Sequence, residues 1–232
     1  MKLFSQERVK QVIGVFQHGR EEAAGALLDL LEASGQAYRV FPLHETGDVP
    51  DETFSHLLVL GGTMSVNDER EFPFLSEEKA CIRKMVGQKR PVLGVCLGAQ
   101  MIASAFGSRV SPSHKETGWS DVTWNGAVPG IPLSGRLRVF QWHGETFDLP
   151  PGASCPCIGD AVRNQALWYR SALGVQFHLE VTREILDRWT AGLDPAARSA
   201  ITDEAARALQ ESQKICREIT GAFLAGAYVH GA

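Results

Sequence analysis

The 232-residue sequence lacks the features that mark membrane, secreted and nucleic-acid-binding proteins. No apolar run approaches the roughly 18 residues of a membrane-spanning helix. The N-terminal segment MKLFSQERVKQ is polar and has no apolar signal core, so we expect a cytoplasmic protein. The net charge of −4 gives no basis for a nucleic acid or a membrane surface as partner.

Patterns typical of disulfide, metal and nucleotide sites are missing as well. The five cysteines are odd in number and scattered, which argues against a disulfide framework. Cys155 and Cys157 are separated by one residue, whereas zinc and redox pairs have two between them. The histidines show no His-Glu-x-x-His spacing, and there is no glycine-rich Gly-Lys-Ser/Thr phosphate loop. We therefore predict neither a metal nor a cofactor.

Apolar runs alternate with amphipathic segments in the first half of the chain. The pattern predicts strands at 12–17, 38–43, 55–62 and 91–96, and helices at 19–35, 76–88 and 97–107. Strands and helices that alternate through short links form a parallel sheet covered on both faces. We therefore predict an α/β fold with a mostly parallel central sheet flanked by helices.

The second half of the chain has a different pattern. Strand-like segments at 118–124, 136–143, 165–170 and 172–178 follow one another with few helices, and the last two resemble a hairpin. They predict antiparallel strands added at an edge of the sheet. The remaining chain is helical, with Pro195 where a helix can begin. We predict one domain over residues 1–232, with its core at about 12–182 and a helical extension at 183–232.

One cysteine lies between two glycines at a predicted strand-to-helix junction. Gly94-Val95-Cys96-Leu97-Gly98 fits the nucleophile elbow, in which a strained corner exposes the nucleophile and its flanking positions approach closely. The following helix would stabilise negative charge at this corner, and the Leu97 N–H would be an oxyanion donor. The motif alone is equally compatible with a packed structural cysteine.

Two other short motifs fall where an elbow would need them. His178 and Glu180 follow an apolar strand and share one side of an extended chain, as a base and its orienting carboxylate would. Gly61 and Gly62 end the third strand at the same sheet edge, where a bare N–H is a second oxyanion donor. Alone, the first motif also fits a solvated pair and the second a simple turn. For His18, after the first strand, we expect a capping or surface role.

In combination and in this order, the motifs G-G, G-V-C-L-G-A-Q and H-L-E resemble the class I (triad) glutamine amidotransferase domain, in its stand-alone, GMP-synthase-like form. The similarity extends from about Val12 to Thr182 and implies a flavodoxin-like three-layer sandwich. The segment QWHGETF, which we take as a loop, resembles the family segment that binds the amino-acid end of glutamine. The implied roles are nucleophile (Cys96), base (His178), orienter (Glu180), oxyanion donors (Gly62, Leu97) and substrate contacts (Gly61, Gln100, Gly144, Glu145).

The resemblance implies hydrolysis of the γ-carboxamide of glutamine, or of a γ-glutamyl amide, through a cysteine thioester. About 50 residues follow the last motif, too few for an ATP-using synthetase domain. A separate synthetase subunit is therefore an expected partner, in addition to the small-molecule substrate. Two alternatives stay open. One is a stand-alone γ-glutamyl peptidase or hydrolase with the same triad. The other is a non-catalytic relative whose cysteine senses oxidants or only packs.

Overall fold

The structure is a computed structural model that describes residues 12–229, so the N-terminal segment discussed above lies outside the described residues. The strands in this range are β1 (Ile13–Gln17), β2 (Tyr38–Pro42), β3 (His56–Val59), β4 (Val92–Val95), β5 (Val110–Trp124), β6 (Gly135–Phe147), β7 (Cys157–Gly159), β8 (Ala166–Tyr169) and β9 (Ala172–Val175). The helices are α1 (Gly25–Ala33), α2 (Leu43–Thr46), α3 (Phe74–Gly87), α4 (Leu97–Ala105), α5 (Arg183–Trp189) and α6 (Pro195–Leu224).

Six strands form the central sheet in the order β2-β1-β3-β4-β9-β8. Each neighbouring pair from β2 to β9 is parallel, and β8 joins the edge as the antiparallel partner of β9. The predicted mostly parallel sheet and the predicted hairpin are both confirmed. In open sheets of this kind, sites lie beyond the carboxyl ends of the strands.

Side-chain alternation along the strands builds a core on each face of this sheet. In β3, Leu58 belongs to a cluster with α1 and α6, whereas Leu57 and Val59 belong to a second cluster with α3 and α4. Successive residues of a strand point to opposite faces, which explains why the inner strands are almost continuously apolar. Helices therefore cover both faces, as predicted.

A second sheet was not predicted. The segments 118–124 and 136–143 are parts of longer strands, and these form a separate antiparallel sheet in the order β6-β5-β7. Of the strands predicted for the second half of the chain, only β8 is an antiparallel strand at an edge of the central sheet. The long β5–β6 ribbon turns one apolar side, including Val122 and Val139, into the cluster that contains α6. Burying that side against a helix separates the ribbon from the main sheet.

The C-terminal helices begin at capped residues. The Thr182 side chain accepts a hydrogen bond from the Ile185 amide at 3.2 Å, and the Asp194 side chain accepts two from the first turn of α6. Pro195 is the first residue of α6, as predicted. In the described part of the chain, we find no helix with the length and apolar character needed to cross a membrane.

Candidate active site

Cys96 lies at the corner between β4 and α4, with φ +52° and ψ −105°. Its amide donates to the Val175 carbonyl oxygen at 2.8 Å, which ties the corner to β9. A Cβ at Gly94 would lie 2.5 Å from the Gly98 carbonyl, and a Cβ at Gly98 would lie 2.1 Å from the Val59 carbonyl oxygen. Both flanking positions therefore require glycine, as the elbow interpretation predicts.

His178 and Glu180 form a buried pair beside this corner. Nδ1 of His178 donates to Oε1 of Glu180 at 2.7 Å. Because β9 ends at Val175, His178 lies beyond the strand and not within it as predicted. Its amide donates to the Phe140 carbonyl oxygen of β6 at 2.9 Å, so the second sheet positions this residue. Nε2 of His178 has no hydrogen-bond partner among the described residues, and the ring lines the same cavity as Cys96.

The surroundings of His178 favour its charged form. Burial alone would lower the pKa of His178. The negative charges of Glu180 and of a Cys96 thiolate outweigh burial, and the pKa lies well above its ordinary value of 6.5. These surroundings therefore favour an imidazolium beside Cys96, and a neighbouring cation assists a cysteine nucleophile.

Two backbone amides without acceptors lie beside Cys96. Leu97 follows the cysteine, and a Cβ on Gly62 would lie 2.5 Å from Leu97 Cδ2. A Cβ on Gly61 would lie 3.3 Å from the His178 ring. Within residues 12–229, neither the Gly62 amide nor the Leu97 amide donates a hydrogen bond to another protein group. Free N–H groups next to a nucleophile are suited to bind a developing oxyanion.

The structure also brings Gln100, Gly144 and Glu145 to the cavity wall. Gly144 and Glu145 lie on β6, so QWHGETF is a strand segment and not the predicted loop. The Gln100 amide donates to the Glu145 carbonyl oxygen and to Gln176 Oε1, both at 3.3 Å. Gln176 Nε2 in turn lies 3.7 Å from Cys96 Sγ. The sequence interpretation missed Gln176, although it alternates with His178 and Glu180 along the chain.

A cavity of about 730 Å³ opens onto Cys96 and His178. This volume falls within the range of about 300–1,000 Å³ that is usual for small-molecule sites. On the His178 side, the Trp189 ring packs edge-on against the imidazole with centroids 4.9 Å apart. The Trp189 indole N–H donates to the Glu21 carbonyl oxygen at 3.0 Å. Among the described residues, no group of three or more His, Cys, Asp or Glu side chains is placed to bind a metal ion.

His18 lies beneath the Gly61-Gly62 turn, and the predicted capping or surface role was wrong. Its ring is buried, with Nδ1 at 3.1 Å from the Gly61 carbonyl oxygen and Nε2 at 2.9 Å from Glu78 Oε2. This pair could not be recognised from local sequence patterns because its members are 60 positions apart. In the sequence, Glu78 also belongs to a predicted helix, at a polar stretch that is typical of a solvent-exposed side.

Comparison with known proteins identifies the family. The model of the class I glutamine amidotransferase family matches residues 23–188 of the chain. The chain belongs to the class I glutamine amidotransferase family. Members of this family generally hydrolyse glutamine with a cysteine nucleophile. The elbow, the His178–Glu180 pair and the free amides all lie within the matched region.

Several relatives of this amidotransferase chain are similar along most of its length. The glutamine amidotransferase-like protein YfeJ of Salmonella typhimurium is 31% identical over 182 residues, covering 73% of this chain and 76% of YfeJ. A glutamine amidotransferase structure from Methylobacillus flagellatus has a TM-score of 0.85 at 27% identity and covers 96% of this chain and 97% of its own. One from Thermotoga maritima has a TM-score of 0.83 at 26% identity and covers 94% and 98%.

Similarity to a larger enzyme is limited to part of that enzyme. A glutamine-hydrolysing GMP synthase of Bdellovibrio bacteriovorus is 36% identical over 93 residues, which is 39% of this chain and 18% of the synthase. The amidotransferase chain thus spans about a fifth of the GMP synthases that it matches.

Proposed function

We propose that this protein hydrolyses the γ-carboxamide of glutamine, or of a γ-glutamyl amide, through a thioester on Cys96. The observation that carries the proposal is the placement of three elements around one cavity. Cys96 lies on a strained corner, and the distance between His178 Nδ1 and Glu180 Oε1 is 2.7 Å. The amides of Leu97, next in the chain, and of Gly62, in the cavity wall, have no acceptor among the described residues.

The proposed reaction begins with attack of the Cys96 thiolate on the γ-carbonyl carbon. A C–S bond forms and the carbonyl electrons move to oxygen, where the Gly62 and Leu97 N–H groups bind the negative charge. As the oxyanion collapses, the C–N bond breaks and His178 Nε2 gives its proton to the departing nitrogen. Ammonia or an amine leaves, and a γ-glutamyl thioester remains.

Water completes the cycle. It attacks the thioester while His178 Nε2 accepts one of its protons, the C–S bond breaks, and glutamate and the thiolate are released. Glu180 accepts from Nδ1 throughout, so it fixes the orientation of the imidazole and stabilises its cationic form. Removing one oxyanion donor in such a mechanism costs a factor of about 100–1,000 in rate.

The size of the cavity favours a second candidate, hydrolysis of larger γ-glutamyl compounds by a stand-alone enzyme. Ammonia needs no dedicated space, whereas a volume of about 730 Å³ can also hold a larger amine or peptide as the leaving group. The alternative that ammonia passes to a separate synthetase rests on the similarity to part of the GMP synthases. A purely structural cysteine is disfavoured, since packing alone would not require this strained corner.

A hydrolysis screen tests the proposal. Purified protein is incubated with glutamine, γ-glutamyl peptides and γ-glutamyl alkylamides, and released glutamate is measured. We expect Cys96→Ala to abolish turnover, and the acid-quenched wild-type enzyme to carry a γ-glutamyl adduct on Cys96 by mass spectrometry. Cys81→Ser is the matched control, because burial raises the pKa of Cys81 to about 11 and the residue lies outside the cavity.

The same screen separates the two candidates. Preference for γ-glutamyl peptides or alkylamides over glutamine would support the larger leaving group. Preference for glutamine, with turnover that rises when a synthetase-containing cell fraction is added, would support the amidotransferase subunit. Full turnover in Cys96→Ala would refute the thioester mechanism in either form.

A further inference from the structure

The peptide group between Gly61 and Gly62 is anchored from inside the protein. Its carbonyl oxygen accepts a hydrogen bond from His18 Nδ1 at 3.1 Å, and the opposite ring nitrogen contacts Glu78 Oε2 at 2.9 Å. Because a carbonyl oxygen can only accept, Nδ1 must carry a proton. The side chains of His18 and Glu78 are completely buried, and neither residue has a part in the chemistry described above.

We propose that His18 is a positioning residue, which fixes the Gly61–Gly62 peptide so that the Gly62 N–H points at the oxyanion. A peptide group is planar, and in its trans form the C=O and N–H bonds point in opposite directions. No cis peptide bond occurs in the described residues. Anchoring the Gly61 oxygen on the buried side therefore directs the Gly62 hydrogen away from His18, toward the cavity that Gly62 lines. This inference rests on the proposed thioester chemistry.

An anchor is needed because both residues are glycines. Glycine occupies a wide range of backbone angles, so a Gly-Gly peptide can rotate at little cost. A larger residue would restrict this rotation, but close neighbours leave no space for a side chain at Gly62. A Cβ on Gly62 would lie 2.5 Å from Leu97 Cδ2 and 2.8 Å from His18 Cβ. Rotation of the peptide would present the carbonyl oxygen to the oxyanion and replace attraction with repulsion.

The charge of the pair strengthens the anchor. Burial lowers the pKa of His18, but the adjacent Glu78 carboxylate and the Gly61 and Leu60 carbonyl groups outweigh this effect, so the pKa is raised overall. Glu22 also interacts electrostatically with the positive charge of His18. A charged donor makes a stronger hydrogen bond than a neutral one, and it polarises the peptide so that its N–H binds an anion better.

Stability alone is a weak explanation for this buried pair. An ion pair taken out of water gains little net free energy compared with apolar side chains of the same volume. One carboxylate oxygen of Glu78, Oε1, is also buried without a hydrogen-bond partner among the described residues, which is unfavourable for folding. The contact with the Gly61 carbonyl gives the pair a role in positioning.

Two substitutions of His18 separate positioning from structure. In His18→Asn the amide nitrogen takes the place of Nδ1 and can still donate to the Gly61 oxygen. In His18→Gln it takes the place of Nε2 and reaches Glu78 instead. We expect His18→Gln to lower kcat for the best γ-glutamyl substrate by about 100-fold, the effect of losing an oxyanion donor, with little change in KM. We expect His18→Asn to stay within a factor of about ten of wild type, since the donor to Gly61 is kept.

Alkylation of Cys96 by iodoacetamide is the control readout. Displacing iodide from a saturated carbon creates no oxyanion, so the alkylation rate depends on the thiolate and His178 alone. We expect this rate to be unchanged in both variants. Should His18→Gln not fold, Glu78→Gln is the second variant, because it removes the charge and keeps an acceptor. We expect it to lower kcat by about tenfold, since charged donors bind more strongly than neutral ones.

Each outcome decides the inference. Wild-type kcat in His18→Gln, equal losses of kcat in His18→Asn and His18→Gln, or alkylation that falls in parallel with kcat would overturn the positioning role. If Glu78→Gln is used because His18→Gln does not fold, a wild-type kcat in Glu78→Gln would also overturn the positioning role. If the wild-type enzyme hydrolyses no γ-glutamyl compound, the proposed function itself has failed, and the inference fails with it. Wild-type turnover with an unaffected His18→Gln would refute the inference alone.

Discussion

Replacing Gly98 with alanine tests how closely α4 must approach the sheet. The added Cβ would lie 2.1 Å from the Val59 carbonyl oxygen and 2.8 Å from its carbonyl carbon. These are backbone atoms of an inner strand, so no side-chain rotation can relieve the overlap. α4 must therefore move outward by about 1 Å to reach an acceptable contact.

The expected effect on activity is larger than the effect on stability. Overpacking of this kind typically costs about 1–3 kcal/mol of folding free energy. α4 begins at Leu97, directly after Cys96, so the same movement displaces the sulfur and the Leu97 amide. A misplacement of about 1 Å can cost about 100-fold in rate. We expect a folded Gly98→Ala variant with kcat lowered by about that factor.

Denaturant unfolding and steady-state hydrolysis measure the two effects. The matched control is Gly221→Ala, because Gly221 is exposed in α6 and an added Cβ there meets no atom within 4 Å. We expect this control to be stabilised by up to about 1 kcal/mol and fully active. Normal activity in Gly98→Ala would refute the argument that α4 and the sheet are in closest contact at this glycine.

Two further predictions concern the triad and the helix that follows it. In the proposed mechanism kcat/KM falls as pH rises through the pKa of His178, because the imidazolium protonates the leaving nitrogen. Glu180→Gln removes a charge that raises this pKa. The fall in kcat/KM should therefore occur at lower pH in a pH–rate profile, and a midpoint at the wild-type pH would contradict the prediction. Thr182→Ala removes the cap of α5 and should cost about 1 kcal/mol in denaturant unfolding. Thr182→Ser keeps the hydroxyl and should cost much less, so equal losses in the two variants would argue against capping.

Local patterns were sufficient to predict the central sheet and the elbow. Apart from His56 at the start of β3, the strands that carry Leu57 and Val92 are apolar throughout, which is typical of strands buried on both faces. The elbow was predictable because its geometry requires glycine at Gly94 and Gly98, and glycine leaves a visible spacing. The extent of a single domain over residues 1–232 and the roles of the site residues stay predictions.

The features that the sequence did not reveal depend on contacts between distant segments. The first half of β5, SPSHKETG, has no clear apolar alternation, so the long ribbon could not be recognised. His18 and Glu78 are individually ordinary polar residues, and only the folded chain brings them together. Gln176 was missed for a related reason. Its partners Cys96 and Gln100 are about 80 positions away.

The amide of His178 bonds to β6, whereas the amide of Cys96 bonds to β9. The sulfur and the imidazole are thus attached to two different sheets, and they meet only where those sheets are docked. A substitution that loosens the β5–β6 ribbon would therefore release the backbone of His178 without touching the corner that carries Cys96. The reactive pair therefore depends on the docking of the second sheet as well as on the central sheet.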